Sequence, residues 1–224
     1  MKKLQIIHED NHLLAVNKPS GLLSQGDDSG AIALTDLAKT YIKDKYEKPG
    51  NVFLGLLHRI DRPVSGIVLL ARTSKSASRM SKLFSEKKVR KIYYAVVTGM
   101  PSKLTGKLIH QMGKKQDRQG KTPISDQKFK DSREAVLRYR VLNSDGKRSL
   151  VEVIPITGRR HQIRAQLAEF GYPIEGDLKY GSKIRFKDRS IALHASEVSF
   201  EHPVTGRKIV IKAKFPVKWP WKED

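Results

Sequence analysis

The chain has 224 residues, enough for one sizeable domain with a real core, and carries 44 Lys plus Arg against 23 Asp plus Glu, a formal charge of +21. That imbalance points to a polyanionic partner, nucleic acid first, and no stretch approaches the roughly 20 apolar residues of a membrane-spanning helix. With no cysteine, disulfide frameworks, thiolate nucleophiles and Cys-ligated zinc are excluded.

Gln5–Glu9 and His12–Val16 are short Ile/Leu/Val runs separated by Asp10-Asn11, a pattern that predicts a β-hairpin. Asn17-Lys18-Pro19-Ser20-Gly21 ends the second strand, since Pro cannot donate to a ladder and Gly allows a sharp bend. Leu34, Leu37, Ala38, Tyr41 and Ile42 recur at helical spacing, so a peripheral amphipathic helix is expected over 34–46. Lys48-Pro49-Gly50 stops it.

Leu57-His58-Arg59-Ile60-Asp61-Arg62-Pro63-Val64-Ser65-Gly66 then sets one carboxylate between two arginines in a stretch forced to turn. A carboxylate between guanidinium groups is favoured as the anion and can serve as a nucleophile. By residue type alone Asp61 is more readily a turn former that caps local amides, since structural Asp residues in turns far outnumber nucleophiles. Ile67–Ala71 reads as a short buried strand, and Thr73 or Ser74 can cap a helix bearing Ala77, Met80, Leu83 and Phe84 on one stripe.

Ile92–Val97 is a strand on which Tyr93 and Tyr94 face opposite sides. From 103 to 130 the composition turns to Lys, Gln, Asp, Gly and Ser, and a mobile basic segment is expected. Gly120-Lys121-Thr122 resembles the tail of a phosphate-binding loop, but Lys115 stands where that loop needs a Gly, so no nucleotide cofactor is expected. Ala135–Leu142 and Ser149–Ile156 should pair around Asn143-Ser144-Asp145-Gly146.

In Thr157-Gly158-Arg159-Arg160-His161-Gln162-Ile163-Arg164, Thr157 is a candidate N-cap for a short helix opening with two arginines, a natural phosphate site. A last hairpin is expected from Ala192–Phe200 and Arg207–Phe215. Trp219 and Trp221 can stack on bases or pack against the sheet.

Several of these stretches together resemble the RluA-type RNA pseudouridine synthases: Asn17–Gly21, His58-Arg59-Ile60-Asp61 with Ser65-Gly66, Lys91-Ile92-Tyr93-Tyr94-Ala95, Gly158–Arg164, Gly176-Asp177, Tyr180-Gly181 and Leu193-His194-Ala195. The order and spacing match along essentially the whole chain. One departure is Gln166, where the family often has His.

The resemblance implies an α+β fold built on a long, mostly antiparallel, bifurcated sheet with flanking helices and a basic cleft. It implies a single catalytic domain over 1–224, without the N-terminal S4-like module of some relatives. It assigns Asp61 as the catalytic carboxylate, Tyr93 as the active-site tyrosine and Arg164 as the cation paired with the carboxylate. His58, Arg59, Arg62, Arg159, Arg160 and His161 become candidates for holding RNA, which would be tRNA or large-subunit rRNA.

A cytoplasmic monomer without cofactor is the accompanying expectation. Two rivals can be weighed on the residues. A non-catalytic RNA-binding or ribosome-assembly protein would share the charge, but phosphate binding has no use for an anionic Asp amid positive groups. A metal-dependent hydrolase is disfavoured because the seven His residues are scattered, with no H-E-x-x-H or comparable spacing, so no metal is expected.

Overall fold

In the computed structural model, which describes residues 4–221, contacts divide the chain into two compact units. Among the described residues the first comprises 4–90 and 195–216, the second 91–194 and 217–221.

The first unit begins with the expected hairpin, β1 (Gln5–Glu9) on β2 (Leu13–Lys18). Asp10 makes its turn by accepting the His12 and Leu13 amides on Oδ1, both at 2.7 Å. Helix α1 (Leu34–Lys45) buries Leu34, Ala38 and Ile42. It is tied to β1 through Glu9, which accepts from the hydroxyls of Tyr41 (2.7 Å) and Tyr46 (2.6 Å) and from Lys45 Nζ (2.7 Å).

The two-residue strand β3 (Gly55–Leu56) and β2 both pair antiparallel with β4 (Ser65–Ala71), every residue of which is buried. A continuous apolar run with packing on both faces gives this strand its pattern. Helix α2 (Ser74–Ser85) is capped as expected: Thr73 Oγ1 accepts the Ser76 amide at 3.1 Å. Met80 from α2 joins Leu13, Ala15, Ile67 and Leu69 in the core, with Val198 and Phe200 of β10 (Leu193–Glu201) and Ile211 of β11 (Lys208–Lys212). Burying side chains of this size stabilises by about 1.5–3 kcal/mol each.

The second unit is a run of antiparallel pairings. β5 (Arg90–Thr98) pairs with β9 (Arg148–Pro155), β9 with β8 (Ser132–Ser144), and β8 with β6 (Thr105–Gly113), which carries the short β7 (Ile124–Ser125). The basic stretch 103–130 therefore contributes two strands and the loop between them.

Helix α3 (Gln162–Glu169) and a 3-10 turn at Leu178–Tyr180 complete this unit. The start of α3 differs from the expectation. Its N-cap is His161, in the left-handed region at φ 54°, and Thr157 does not cap it. The reason is Gln162, whose Oε1 accepts from the Thr157 hydroxyl (2.7 Å) and the Arg159 amide (2.9 Å), folding 157–161 into a turn ahead of the helix. Arg159 and Arg160 thus stand on that turn.

Candidate active site

Asp61 sits half-buried in the loop that joins β3 to β4. The loop is fixed from below by Ser24, whose hydroxyl donates to the Ile60 carbonyl (2.7 Å) and accepts from the Ile60 amide (3.3 Å). Beyond the carboxylate, the Val64 amide returns to the Asp61 carbonyl at 3.0 Å, closing a turn with Arg62 and Pro63 at its centre. The Gly21 amide reaches the Arg62 carbonyl (2.7 Å), and Arg62 Nε returns to the Gly21 carbonyl (3.0 Å). The motif at 17–21 is therefore the clamp for the loop that carries Asp61.

Its central residue is Lys18, which is fully buried. Lys18 Nζ donates to the carbonyls of Leu22 (2.7 Å), Pro19 (3.0 Å) and Arg62 (3.3 Å). Burial pushes the ammonium down to about 7, against the pull of the Asp61 carboxylate and with a further push from Arg62. A cation that feels Asp61 and holds three carbonyls was not singled out by sequence. The available signal was a lysine at the end of an apolar strand, directly before a Pro.

His58 is also a holding group within this loop. Its Nε2 accepts the Leu69 amide at 3.2 Å, and its ring lies against Phe84 at 5.5 Å between centroids. Arg59 and Arg62 are exposed on either side of Asp61. Their charge is available to a polyanion.

The second unit holds Tyr93 and Arg164. Tyr93 is buried on β5, opposite Val153 of β9, while its neighbour Tyr94 is half-buried and faces the other side. Arg164 is 5% exposed on α3. Asp177 grips it in a bidentate pair, Nε to Oδ2 at 2.7 Å and Nη2 to Oδ1 at 2.9 Å, and the Tyr180 ring stands 5.1 Å from the guanidinium carbon.

Arg159 Nε donates to the Glu134 carbonyl (2.9 Å), Arg160 is exposed, and His161 Nδ1 is 2.9 Å from the Tyr180 hydroxyl. Asp177 and Tyr180 lie in stretches that match the family but carry no role assigned from sequence, and nothing in the spacing of 164, 177 and 180 advertises their meeting. Among the described residues no group of three or more His, Asp or Glu is placed to hold a metal ion, and no helix is long and apolar enough to cross a membrane.

The path of the chain is that of the RNA pseudouridine synthases. The structure of human RNA pseudouridylate synthase domain containing 4 matches it with a TM-score of 0.79 at 26% identity, covering 96% of this chain and 90% of that one. The chain belongs to the RNA pseudouridylate synthase family, whose model matches residues 12–169. It is accordingly an isomerase that turns uridine in RNA into pseudouridine, on the mostly antiparallel α+β scaffold that the resemblance implied.

Among its relatives, ribosomal large subunit pseudouridine synthase C of Rickettsia prowazekii is 34% identical over 213 residues, spanning 94% of this chain and 68% of the relative. The tRNA pseudouridine synthase C of Vibrio parahaemolyticus is 32% identical over 97% of this chain and 92% of its own. A dual-specificity RNA pseudouridine synthase RluA from Vibrio cholerae is 34% identical over 89% and 78%.

Proposed function

We propose that this protein isomerises a specific uridine of ribosomal or transfer RNA, with Asp61 as its catalytic carboxylate. The observation that carries the reading is the family match over 12–169, which takes in the loop where Asp61 is anchored through Lys18, Ser24 and the Arg62 carbonyl. Relatives named for large-subunit rRNA and for tRNA support both RNA classes.

The reaction breaks the bond between ribose C1′ and uracil N1, turns the base, and joins C5 to C1′. The proton lost from C5 is balanced by the one gained at N1, so neither redox partner nor nucleotide cofactor is required. Asp61 attacks C1′ or stabilises a cationic sugar, as carboxylates do in glycoside hydrolysis. The alternatives are addition to uracil C6 and formation of a glycal by loss of the C2′ proton.

Tyr93 abstracts the proton or stacks on the base, and Arg164 orients the carboxylate. A stacked uridine has to be drawn out of the RNA at a cost of a few kcal/mol. Arg59 fills the vacancy beside the loop that His58 holds, while Arg62, Arg159, Arg160 and His161 hold phosphates. The protein acts as a cytoplasmic monomer.

The test is to incubate rRNA and tRNA lacking pseudouridine with the wild-type protein and with Asp61→Asn, then map pseudouridine by position. A site that appears only with the wild type is the expected result and identifies the substrate. If neither protein modifies RNA that both bind equally well, a non-catalytic RNA-binding role replaces this one.

A further inference from the structure

One tetrapeptide, Asp177-Leu178-Lys179-Tyr180, reaches in two directions within the second unit. Asp177 holds Arg164 through two hydrogen bonds, and the Tyr180 ring lies beside the same guanidinium. The other direction is the loop between β6 and β7. There Lys179 Nζ donates to the Gly120 carbonyl at 3.2 Å, and the Tyr180 hydroxyl accepts the buried Thr122 amide at 2.9 Å.

That loop is a folded hairpin tip. Asp117 Oδ1 accepts the amides of Gln119 (2.9 Å) and Lys121 (2.8 Å), the Gly113 amide reaches the Pro123 carbonyl (2.9 Å), and the Gln116 side chain donates to the Gly120 carbonyl. Its outward side chains are Lys114, Lys115 and Arg118, all exposed, followed by the half-buried Lys121. Four cations in eight residues on a tip of this kind fit a phosphate backbone.

The Tyr180 hydroxyl has one proton. It accepts the Thr122 amide and also shares a hydrogen bond with His161 Nδ1, 2.9 Å away. Thr122 Oγ1 adds a bond to the Arg160 carbonyl at 3.2 Å. The loop, the Arg160-His161 turn and Arg164 thus share one aromatic residue.

We propose that Tyr180 is a positioning residue, and that the 114–121 loop is a phosphate grip whose occupancy by RNA sets Arg164 and His161 through it. This rests on RNA being the substrate, as proposed above. Lys179 is the second latch of the same device. A Cβ at Gly120 would stand 2.9 Å from Lys179 Nζ, so the carbonyl is approached at a position where glycine leaves room.

The experiment compares wild type, Tyr180→Phe, the loop triple Lys115→Ala/Arg118→Ala/Lys121→Ala, and all four changes combined. Single-turnover rate at saturating RNA and KM are read on an unmodified transcript that the wild type modifies. The triple raises KM about tenfold through lost phosphate contacts and also lowers the saturating rate. Tyr180→Phe keeps the ring but removes the hydroxyl that bonds both Thr122 and His161, and lowers the saturating rate about tenfold or more.

In the Tyr180→Phe background the triple raises KM as before but lowers the rate no further. Rates that fall independently and multiply, or a Tyr180→Phe protein with unchanged rate, overturn the proposal. Lys179→Met, at an exposed side chain, repeats the comparison if Tyr180→Phe does not fold.

Amide exchange over 162–169, with and without bulk tRNA, reads the coupling without turnover. RNA slows exchange there in the wild type and not in Tyr180→Phe. That result from a wild type making no pseudouridine sinks the enzyme reading and leaves the coupling standing; exchange that RNA changes only in the loop sinks the coupling.

Discussion

Replacing Lys18 by Met is the sharpest test of how the Asp61 loop is held. At neutral pH and below, the ordinary lysine value of 10.5 and the value of about 7 in the folded protein, at about 1.4 kcal/mol per pH unit, put the cost of the buried ammonium on the order of 5 kcal/mol. Against that stand three hydrogen bonds to the carbonyls of Pro19, Leu22 and Arg62. Orphaning each buried carbonyl costs about 1–3 kcal/mol. Near pH 6 the two effects nearly cancel, and wild type and Lys18→Met should unfold within about 2 kcal/mol of each other.

The balance tips as pH rises. Above about 7 the folded protein releases the Lys18 proton, while the unfolded chain keeps it up to 10.5. The unfolded state then binds more protons, so this group's contribution to stability grows with pH. Urea unfolding of both proteins from pH 6 to pH 9.5 should show the wild type gaining about 3 kcal/mol on Lys18→Met. All other titrating groups cancel in that difference. A flat difference across this range would refute the reasoning and mean that the three carbonyls and Asp61 keep Lys18 charged throughout.

Gly66→Ala should abolish folding of the first unit, because Gly66 has φ +117° and an added Cβ would lie 2.5 Å from the Ala195 amide nitrogen and also against its carbonyl oxygen; a soluble protein with native circular dichroism would contradict this. Asp177→Asn removes the bidentate partner of a buried guanidinium and should cost about 3 kcal/mol, a fall in Tm of about 6–12 °C by calorimetry. Glu9 is raised by burial, but the hydrogen bonds from Lys45, Tyr46 and Tyr41 outweigh this and hold it at about 2, below the ordinary 4.5. Its stabilisation is therefore complete above pH 4.5 and fades as pH falls toward 2. Glu9→Gln should cost about 2 kcal/mol at pH 7 and little at pH 2 in urea unfolding.

What the sequence disclosed follows from the range of the interactions involved. The β1–β2 hairpin, α1, β4, α2 and the β8–β9 pair are set by apolar periodicity and local turn residues, and they formed close to the expected bounds. Capping of α2 by Thr73 is equally local. The start of α3 was misread because Gln162 bends back onto Thr157 and Arg159, a side-chain choice that competes with ordinary capping. Lys18, Asp177 and Tyr180 stayed hidden for a different reason: their partners Arg62, Arg164 and Thr122 lie 44, 13 and 58 residues away. No periodicity encodes such pairings.

The polar groups of the two units divide by what they bind, and salt separates the two kinds. Arg59, Arg62, Arg160, Lys115 and Arg118 are exposed cations. Replacing one that touches a phosphate should weaken RNA binding and reduce the slope of log K against log salt by about one. Ser24, Lys18, Gln162 and Tyr180 instead spend their hydrogen bonds on backbone and neighbouring side chains. Ser24→Ala frees the Ile60 carbonyl and amide together, so the loop bearing Asp61 loses its floor while the charge of the protein stays at +21. That variant should lose turnover while its RNA affinity keeps the wild-type salt slope. A reduced slope in Ser24→Ala, measured by fluorescence anisotropy between 50 and 200 mM salt, would mean that the anchoring bonds also place the phosphate contacts.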